Sequence, residues 1–375
     1  MTLRRICSTI SEKHEKSMNK FAPVSSEISN LVRYKGDKLI TTEEIRFPDF
    51  TSVIDHSLRN GLSVSKATTP ILEDVLSDVC HNISFNRAQV NVFVFASPEI
   101  QALCQTISED NCVIQLSSGL VNLLSTDELA FVIGHELGHH ILEHYYSHFL
   151  EDSLELNMQK RAQEISVDRF GLIACSKINV AVMAMIKTVS GLQSEHLHKD
   201  IRGFLDQIKS LKRPLNGENQ LSTHPSLLMR CRALVWFSQA YVEANSGMEL
   251  FGQRLRQIDS RVEGELAKFV EGPTLRYVQQ MEQNLGMWLF VQKALEKGKF
   301  QKDDQAFITK AHGKENLDKI IRLIESNDRV FVIKFIDKKI SGITANLKKV
   351  APSTFDETYA SLEAIACKTA TSKSD

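Results

Sequence analysis

The sequence lacks several features that would place it in common functional classes. Its 45 Lys and Arg residues nearly balance 46 Asp and Glu residues, and the formal net charge is −1, so no charge excess would attract nucleic acid or an anionic membrane. No apolar run approaches the roughly 18 residues of a membrane-spanning helix, and Lys187 interrupts the nearest one, at 178–192. Internal repeats and a glycine-rich phosphate loop are also missing. We therefore expect neither a nucleic-acid partner nor a transmembrane segment.

Cysteine is sparse and irregularly placed. The seven cysteines are odd in number and never form Cys-x-x-Cys, which favours reduced thiols and argues against a disulfide framework or a cysteine metal site. The first ten residues carry the charges of a signal peptide, but Glu12 and Lys13 follow before any apolar region. Both observations predict a cytoplasmic location. The cysteines lie at positions 7, 80, 104, 112, 175, 231 and 367.

What the sequence does contain is a His-Glu-x-x-His motif at residues 135–139. Two histidines four residues apart lie on one face of a helix, so both imidazoles can reach a single Zn²⁺. Glu136 lies beside them, near enough to take a proton from a water on the metal. Ser125 and Glu128 form a capping-box pattern that predicts a helix beginning just before the motif. The alternative is a helix that is merely rich in histidine, since five of the 12 histidines lie between 135 and 148.

A catalytic zinc site needs a third protein ligand and an open fourth position. A third histidine six residues after His139 is excluded, because that position is Tyr145. The other solution is a Glu on a following helix with an acidic residue one turn further on, and Glu164 and Asp168 match it. We predict that Glu164 binds the metal and that Asp168 accepts the free ring N–H of a ligand histidine, which fixes its tautomer.

Other side chains near the motif stay open as alternatives. Three carboxylates closer in sequence could compete with Glu164, although the first lies on the motif helix itself; they are Glu143, Glu151 and Glu155. Two further histidines, His140 and His144, are expected at the surface or behind the ligands rather than on the metal.

These elements occur in the order found in a known family. They are Gly119–Ala130, His135–His139, Glu164-x-Ser-x-Asp168, and Thr223-His224-Pro225-Ser226 followed by Arg230. From about residue 85 to 235 the chain resembles the gluzincin peptidases that include the CAAX prenyl proteases, the HtpX membrane protease and the periplasmic BepA-type proteases.

The resemblance implies roles for single residues. It makes Glu136 the general base, with His135, His139 and Glu164 as zinc ligands. It also implies that His224 lies over the metal, where it either stabilises the oxyanion or caps the zinc of a resting enzyme. From the residues alone, Pro225 only indicates that His224 lies in a loop.

Other features of the resemblance are less complete. Arg230 is expected to partner an acidic side chain. The chain departs from the family at Glu99–Leu103, where an Asn-Ala pair is usual. It also lacks the transmembrane helices of the prenyl protease and HtpX branches.

The organisation of the chain predicts a mainly α fold with a small β-sheet, of the α+β class. We expect a polar N-terminal segment at 1–48, a zincin-like metallopeptidase domain at 49–246, and a helical C-terminal domain at 247–375. Strands are predicted at 90–95 and 112–116, where one exposed edge could bind a substrate as an added strand. Helices are predicted twice within 51–84, at 126–149, 155–176, 178–192, 197–211, 226–245, 249–270, 273–298, 302–312 and 315–326, and from 354 to about 367, with a short apolar run at 330–336.

The predicted function is that of a zinc-dependent endopeptidase with one Zn²⁺ per chain and a protein or peptide substrate. The alternative is a zinc-stabilised, latent or inactive peptidase-like module in which His224 caps the metal. Residues 247–375 carry no recognisable chemistry. We expect a structural or regulatory interaction module that docks onto the peptidase domain, binds a partner or mediates self-association.

Overall fold

The computed structural model describes residues 32–38, 47–145, 153–198, 200–207, 225–243 and 248–371. The chain divides into two compact units, Met1–Glu151 with Met158–Val270, and Asp152–Asn157 with Glu271–Asp375. The predicted domain boundaries at 49–246 and 247–375 stay predictions.

The described residues of the first unit form helices around a small sheet. Its strands are β1 (Gly61–Ser63), β2 (Val90–Phe95), β3 (Ala102–Thr106) and β4 (Cys112–Ser117). Its helices are α1 (Phe50–Asn60), α2 (Pro70–Asn82), α3 (Ser118–Leu123), α4 (Thr126–Ile141), α5 (Leu154–Cys175), α6 (Ile178–Ser190), α7 (Arg202–Asp206), α8 (Leu227–Glu243) and α9 (Met248–Leu266), where α5 begins within the second unit.

The sheet is mixed, with strand order β1-β2-β4-β3. Strand β2 runs parallel to β4 with Val90 opposite Cys112, whereas β3 pairs antiparallel with β4 through Thr106 and Cys112. Strand β3 therefore forms one edge of the sheet that the described residues build. One of its side chains, Leu103, is 57% exposed.

The main hydrophobic core of this unit contains residues of both the sheet and the helices. Strand β4 is buried along most of its length, including Ile114 and Leu116, and α4 contributes Ile133 and Leu137. Helix α9 also belongs to this core, through Phe251 and other side chains. The motif helix is thus fixed in position by apolar burial on one side, which is the usual way that a helix of this length is held in a protein.

The described residues of the second unit are helical. Its helices are α10 (Gly272–Glu296), α11 (Lys302–His312), α12 (Lys314–Glu325), α13 (Arg329–Val350) and α14 (Phe355–Thr371). They bury a separate core that includes Leu285, Phe290 and Ile336. The predicted fold class, mainly α with a small β-sheet, is confirmed.

Several predicted elements differ from those observed. The helix predicted at 126–149 ends at Ile141, because Leu142 caps it and Glu143 takes a left-handed conformation with φ 60°. Residues 146–149 lie outside the described residues. Within the described part of 197–211 only Arg202–Asp206 is α-helical. The apolar run at 330–336 proves to be the first third of the 22-residue helix α13.

No helix among the described residues combines the length and the apolar character that are needed to cross a bilayer.

Candidate metal centre

The position of the motif helix is set at its first turn. Ser125 caps α4 by accepting a hydrogen bond from the Glu128 amide, and the Glu128 carboxylate accepts one from the Ser125 amide at 2.8 Å. The same carboxylate also accepts a hydrogen bond from buried Lys187 of α6, at 2.7 Å. This reciprocal cap satisfies two otherwise unpaired N–H groups and fixes where the helix begins. His135 and His139 follow on one face of the helix, about one turn apart.

Glycines bring the next long helix close to α4. A Cβ atom at Gly134 would lie 2.3 Å from the Ala174 Cβ, and one at Gly171 would lie 2.7 Å from the Phe131 ring. A methyl group at either place would therefore force α4 and α5 apart. Close approach of these two helices is what allows Glu164 of α5 to reach the histidines of α4.

The structure brings His135, His139 and Glu164 together. One ligand atom of each lies within 4.8 Å of the others. The His135 Nε2 is 3.7 Å from Glu164 Oε2, and the His139 Nε2 is 3.5 Å from Glu164 Oε1. Ligands about 2.0–2.1 Å from a tetrahedral zinc ion would be about 3.3 Å apart. Two imidazoles and one carboxylate at these distances fit a zinc ion, with a fourth position left for water or substrate.

Glu164 is held in its ionised form. Its side chain is 7% exposed, and its Oε2 lies 3.1 Å from the Arg230 Nη1. Burial alone would raise the pKa of Glu164, but the charge of Arg230 and the hydrogen bond from His139 lower that pKa well below its ordinary value. The carboxylate is therefore available to a cation.

His139 presents the matching nitrogen. Burial alone would lower the pKa of His139, but the hydrogen bond and charge of Glu164 raise it above its ordinary value. A metal ion bound there would compete with a proton for the His139 Nε2.

Asp168 and Arg230 support the first histidine. The His135 Nδ1 lies 3.1 Å from Asp168 Oδ1. Arg230 donates to both oxygens of Asp168, at 2.9 and 2.6 Å. A carboxylate that accepts from Nδ1 leaves the Nε2 lone pair for the metal. Arg230 thus joins Asp168, the residue predicted to orient a ligand histidine, to Glu164.

His139 has a longer chain of partners behind it. Its Nδ1 lies 3.0 Å from the Nδ1 of His144, whose Nε2 lies 3.0 Å from Asp37 Oδ2. Burial lowers the pKa of His144 to about 4, which keeps its ring neutral. Neither His140 nor His144 is at the surface, since each is 3% exposed, and His140 contacts Thr106 Oγ1 at 2.9 Å. Sequence reasoning missed Asp37.

Glu136, the predicted base, is partly buried on the motif helix α4. It lies close enough to raise the pKa of both His139 and Cys104. A hydrogen bond with Cys112 and, to a lesser extent, burial raise the pKa of Cys104 well above its ordinary value. Because the thiolate is the form that binds metals, Cys104 is a poor rival to the three ligands.

The remaining predicted residues lie elsewhere. Glu143 is exposed in the turn after α4, and the Glu155 carboxylate accepts a hydrogen bond from the Ser353 amide within the second unit. His224 and Glu151 lie outside the described residues.

Comparison with known proteins gives one match. Residues 66–159 match the model of Peptidase family M48. This stretch contains α2, the whole sheet except β1, and the His-Glu-x-x-His helix, and it ends before Glu164. Neither the comparison with curated proteins nor that with solved structures gave a match. The family match supports a metallopeptidase, and a protein or peptide as its substrate.

Proposed function

We propose that this protein is a zinc-dependent endopeptidase. The observation that carries the proposal is the approach of His135, His139 and Glu164 to within 4.8 Å of one another, around a motif that the family match includes. The site would hold one Zn²⁺ through the two Nε2 atoms and the Glu164 carboxylate. Residues outside that match supply the third ligand and the groups that orient it, so the proposal draws on both.

Zn²⁺ held there would polarise the scissile carbonyl and lower the pKa of a bound water toward 7. The chain's own residues then supply the proton transfers. Glu136 accepts a proton from the attacking water and returns it to the leaving amine as the C–N bond breaks. Arg230 and Asp168 keep Glu164 charged and His135 correctly oriented during these steps.

The edge strand β3 offers a place for the substrate backbone. It lies at the edge of the sheet formed by the described residues, and its Thr106 contacts α4 through His140. An extended peptide that pairs with this edge would run alongside the motif helix. We assign to His224 the role of supporting the oxyanion or capping the metal, as the family resemblance implies.

The thiols favour a reducing compartment. Five cysteines of the first unit are free thiols; they are Cys80, Cys104, Cys112, Cys175 and Cys231. This supports the cytoplasmic location that the sequence predicts. A purely structural zinc site would have no chemical need for Glu136, so the latent or inactive module is the less favoured function.

Glu136→Gln tests the chemistry. The amide cannot accept the water proton, so turnover of a quenched peptide or casein should fall about 100- to 10,000-fold while zinc content stays at the wild-type level. Glu143→Gln makes the same chemical change at an exposed position of the following turn and should leave turnover unchanged. Wild-type turnover should disappear with o-phenanthroline and return with zinc. Equal cleavage by Glu136→Gln and the wild type would remove Glu136 as the base.

A further inference from the structure

The two histidines of the centre are oriented by different means. His135 contacts a carboxylate directly, through Asp168. His139 instead contacts a second imidazole, that of His144, and only this ring contacts a carboxylate, that of Asp37.

We propose that Asp37 and His144 are positioning residues for His139, acting in series as a carboxylate–imidazole–imidazole chain that fixes its ring and tautomer for metal binding. This inference rests on the proposed function and deepens it.

The direction of each hydrogen bond in the chain follows from the metal end. The His139 Nε2 faces Glu164 at 3.5 Å, so a metal ion would use its lone pair. A neutral imidazole then carries its proton on Nδ1, which makes His139 the donor and the His144 Nδ1 the acceptor. The proton of His144 is consequently on Nε2, from which it donates to Asp37 Oδ2 at 3.0 Å. Each polar atom of the Asp37–His144–His139 series is thus either a donor or an acceptor, and one tautomer of each ring satisfies every hydrogen bond in it.

Asp37, the outer member of this hydrogen-bonded series, is itself firmly held by its neighbours. The side chain of Asp37 is fully buried. Its Oδ1 accepts a hydrogen bond from Gln159 of α5 at 3.2 Å, and Arg33 lies 3.4 Å away. Burial alone would raise the pKa of Asp37, but the hydrogen bond from His144 lowers it, so the carboxylate stays an acceptor. Because few other arrangements are open to a buried and fully engaged carboxylate, the position of Asp37 is transmitted to His144.

The backbone around Asp37 is tied to the ligand helix as well. The Tyr34 amide donates to Ser166 Oγ at 3.0 Å, and Arg169 donates to the Val32 carbonyl at 3.0 Å. Arg169 also pairs with Asp259 of α9, at 2.6 Å. Both Ser166 and Arg169 lie on α5, within two turns of Glu164. Segment 32–38 is therefore part of the metal centre, although 98 residues separate Asp37 from His135.

Four variants of the whole protein distinguish residues that act in series on His139 from residues that act on it independently. His144→Leu removes both hydrogen bonds. His144→Asn keeps an acceptor near the position of Nδ1 but cannot reach Asp37. Asp37→Asn keeps the size of the side chain but removes its charge, and the fourth variant combines Asp37→Asn with His144→Leu. The control is His140→Asn, which alters an equally buried neighbour that contacts Thr106 and none of the proposed ligands.

The primary measurement is the zinc dissociation constant by competition with a chromophoric chelator. Loss of an orienting partner typically weakens metal binding about 10- to 100-fold, and we expect His144→Leu to fall in that range. His144→Asn and Asp37→Asn should both show smaller losses than His144→Leu, because the first removes and the second weakens only the outer bond. The double variant should match His144→Leu, and His140→Asn should match the wild type.

Two further readouts distinguish positioning from general damage. The visible d–d bands of the Co²⁺-loaded protein should shift in His144→Leu and stay in place in His140→Asn. Peptide hydrolysis should lose kcat with KM unchanged, since the substrate-binding surfaces are intact. Thermal unfolding of each metal-free variant establishes that it folds. If His144→Leu does not fold, His144→Asn and Asp37→Asn still decide: weaker zinc binding in both, with none lost in His140→Asn, supports the inference, and wild-type affinity in both overturns it.

Wild-type zinc affinity in His144→Leu would overturn the inference. So would a double variant whose loss is the product of the two single losses, since residues acting in series cannot be independent. Failure of the wild-type protein to bind zinc at all would instead contradict the proposed function.

Discussion

The most heavily constrained residue of the centre is Arg230 of α8. It lies between two buried carboxylates, those of Glu164 and Asp168, and donates to the latter with two nitrogens. Burial alone would lower the pKa of Arg230, but the two carboxylates raise it, so the guanidinium stays charged. Arg230 offsets the repulsion between the two acidic groups before any metal ion arrives.

Replacing Arg230 by Leu should therefore destabilise the metal-free protein strongly. Two buried carboxylates would lose their positively charged partner. Removing one partner of a buried ion pair typically costs about 3–5 kcal/mol of unfolding free energy. Saturating zinc should recover part of this loss, because the ion supplies positive charge at the same place. Urea unfolding of the first unit measures both effects.

The matched control for that variant is Arg232→Leu, two residues further along the same helix. Arg232 pairs with Glu265 at 2.6 Å, but both side chains are partly exposed. Pairs of that kind contribute about 1 kcal/mol or less. If the two leucine variants lose the same stability, Arg230 is not the buried counter-ion described here.

Residues of the centre could be predicted from the sequence when they lie near one another along the chain, and not when they are far apart. His135, Glu136 and His139 occupy fixed offsets on one helix, and Glu164 and Asp168 occupy one face of another, so local periodicity is enough to find them. Asp37 lies 107 residues before His144, in a polar segment with no pattern of its own. Its contact with His144 depends on tertiary packing, which local spacing does not encode.

At the scale of elements, the contact between α4 and α5 decides the geometry of the centre. Gly134 and Gly171 lower the helix propensity of their segments by about 1 kcal/mol each, yet they lie where two ligand-bearing helices meet. The structure shows close packing of Gly134 against Ala174.

Gly134→Ala should consequently destabilise the protein by about 1–3 kcal/mol, as overfilling of a packed interior does. It should also weaken zinc binding, because α5 carries Glu164 and would be displaced from α4. Gly264→Ala is the control: a Cβ at this position of α9 meets nothing within 4 Å, and alanine should stabilise that helix by up to about 1 kcal/mol. Thermal unfolding should therefore show lower stability for Gly134→Ala and equal or higher stability for Gly264→Ala. Zinc titration should show weaker binding in Gly134→Ala alone.

The elements that the sequence did not predict owe their form to their neighbours. Strand β3 has the sequence Ala-Leu-Cys-Gln-Thr, which is short and has only one β-branched residue, and its extended form comes from pairing with β4. The strand β2, rich in Val and Phe, is found at the predicted residues 90–95. Helix α13 looked short because Asp337, Lys338 and Lys339 interrupt the apolar run, although buried residues continue beyond them at Ile340 and Leu347.

On the scale of the whole molecule, each unit has its own hydrophobic core. The proposed ligands and the groups that orient them all lie in the first unit, as does most of the stretch that matches the peptidase family. The second unit contributes no group to the centre among the described residues. Its predicted role in binding a partner or in self-association stays a prediction.

Metal binding should therefore stabilise the two units unequally. Zinc at about 100 times its dissociation constant adds about 2.7 kcal/mol to a unit that binds it only when folded. We expect calorimetry to show one unfolding transition that moves to lower temperature on chelation and a second that does not move. The zinc-sensitive transition should lose its sensitivity in Glu164→Ala. A chelator that shifts both transitions equally would contradict the confinement of the metal to the first unit.

The most direct test of the centre is X-ray absorption at the zinc edge of the purified, zinc-loaded protein. We expect one zinc per chain, with two imidazole nitrogens at about 2.0–2.1 Å, carboxylate oxygen at about 2.0–2.2 Å, and no sulfur neighbour near 2.3 Å. The imidazole contribution should halve in His139→Ala. Absence of stoichiometric zinc, or a sulfur ligand such as Cys104 in place of a histidine, would contradict this expectation.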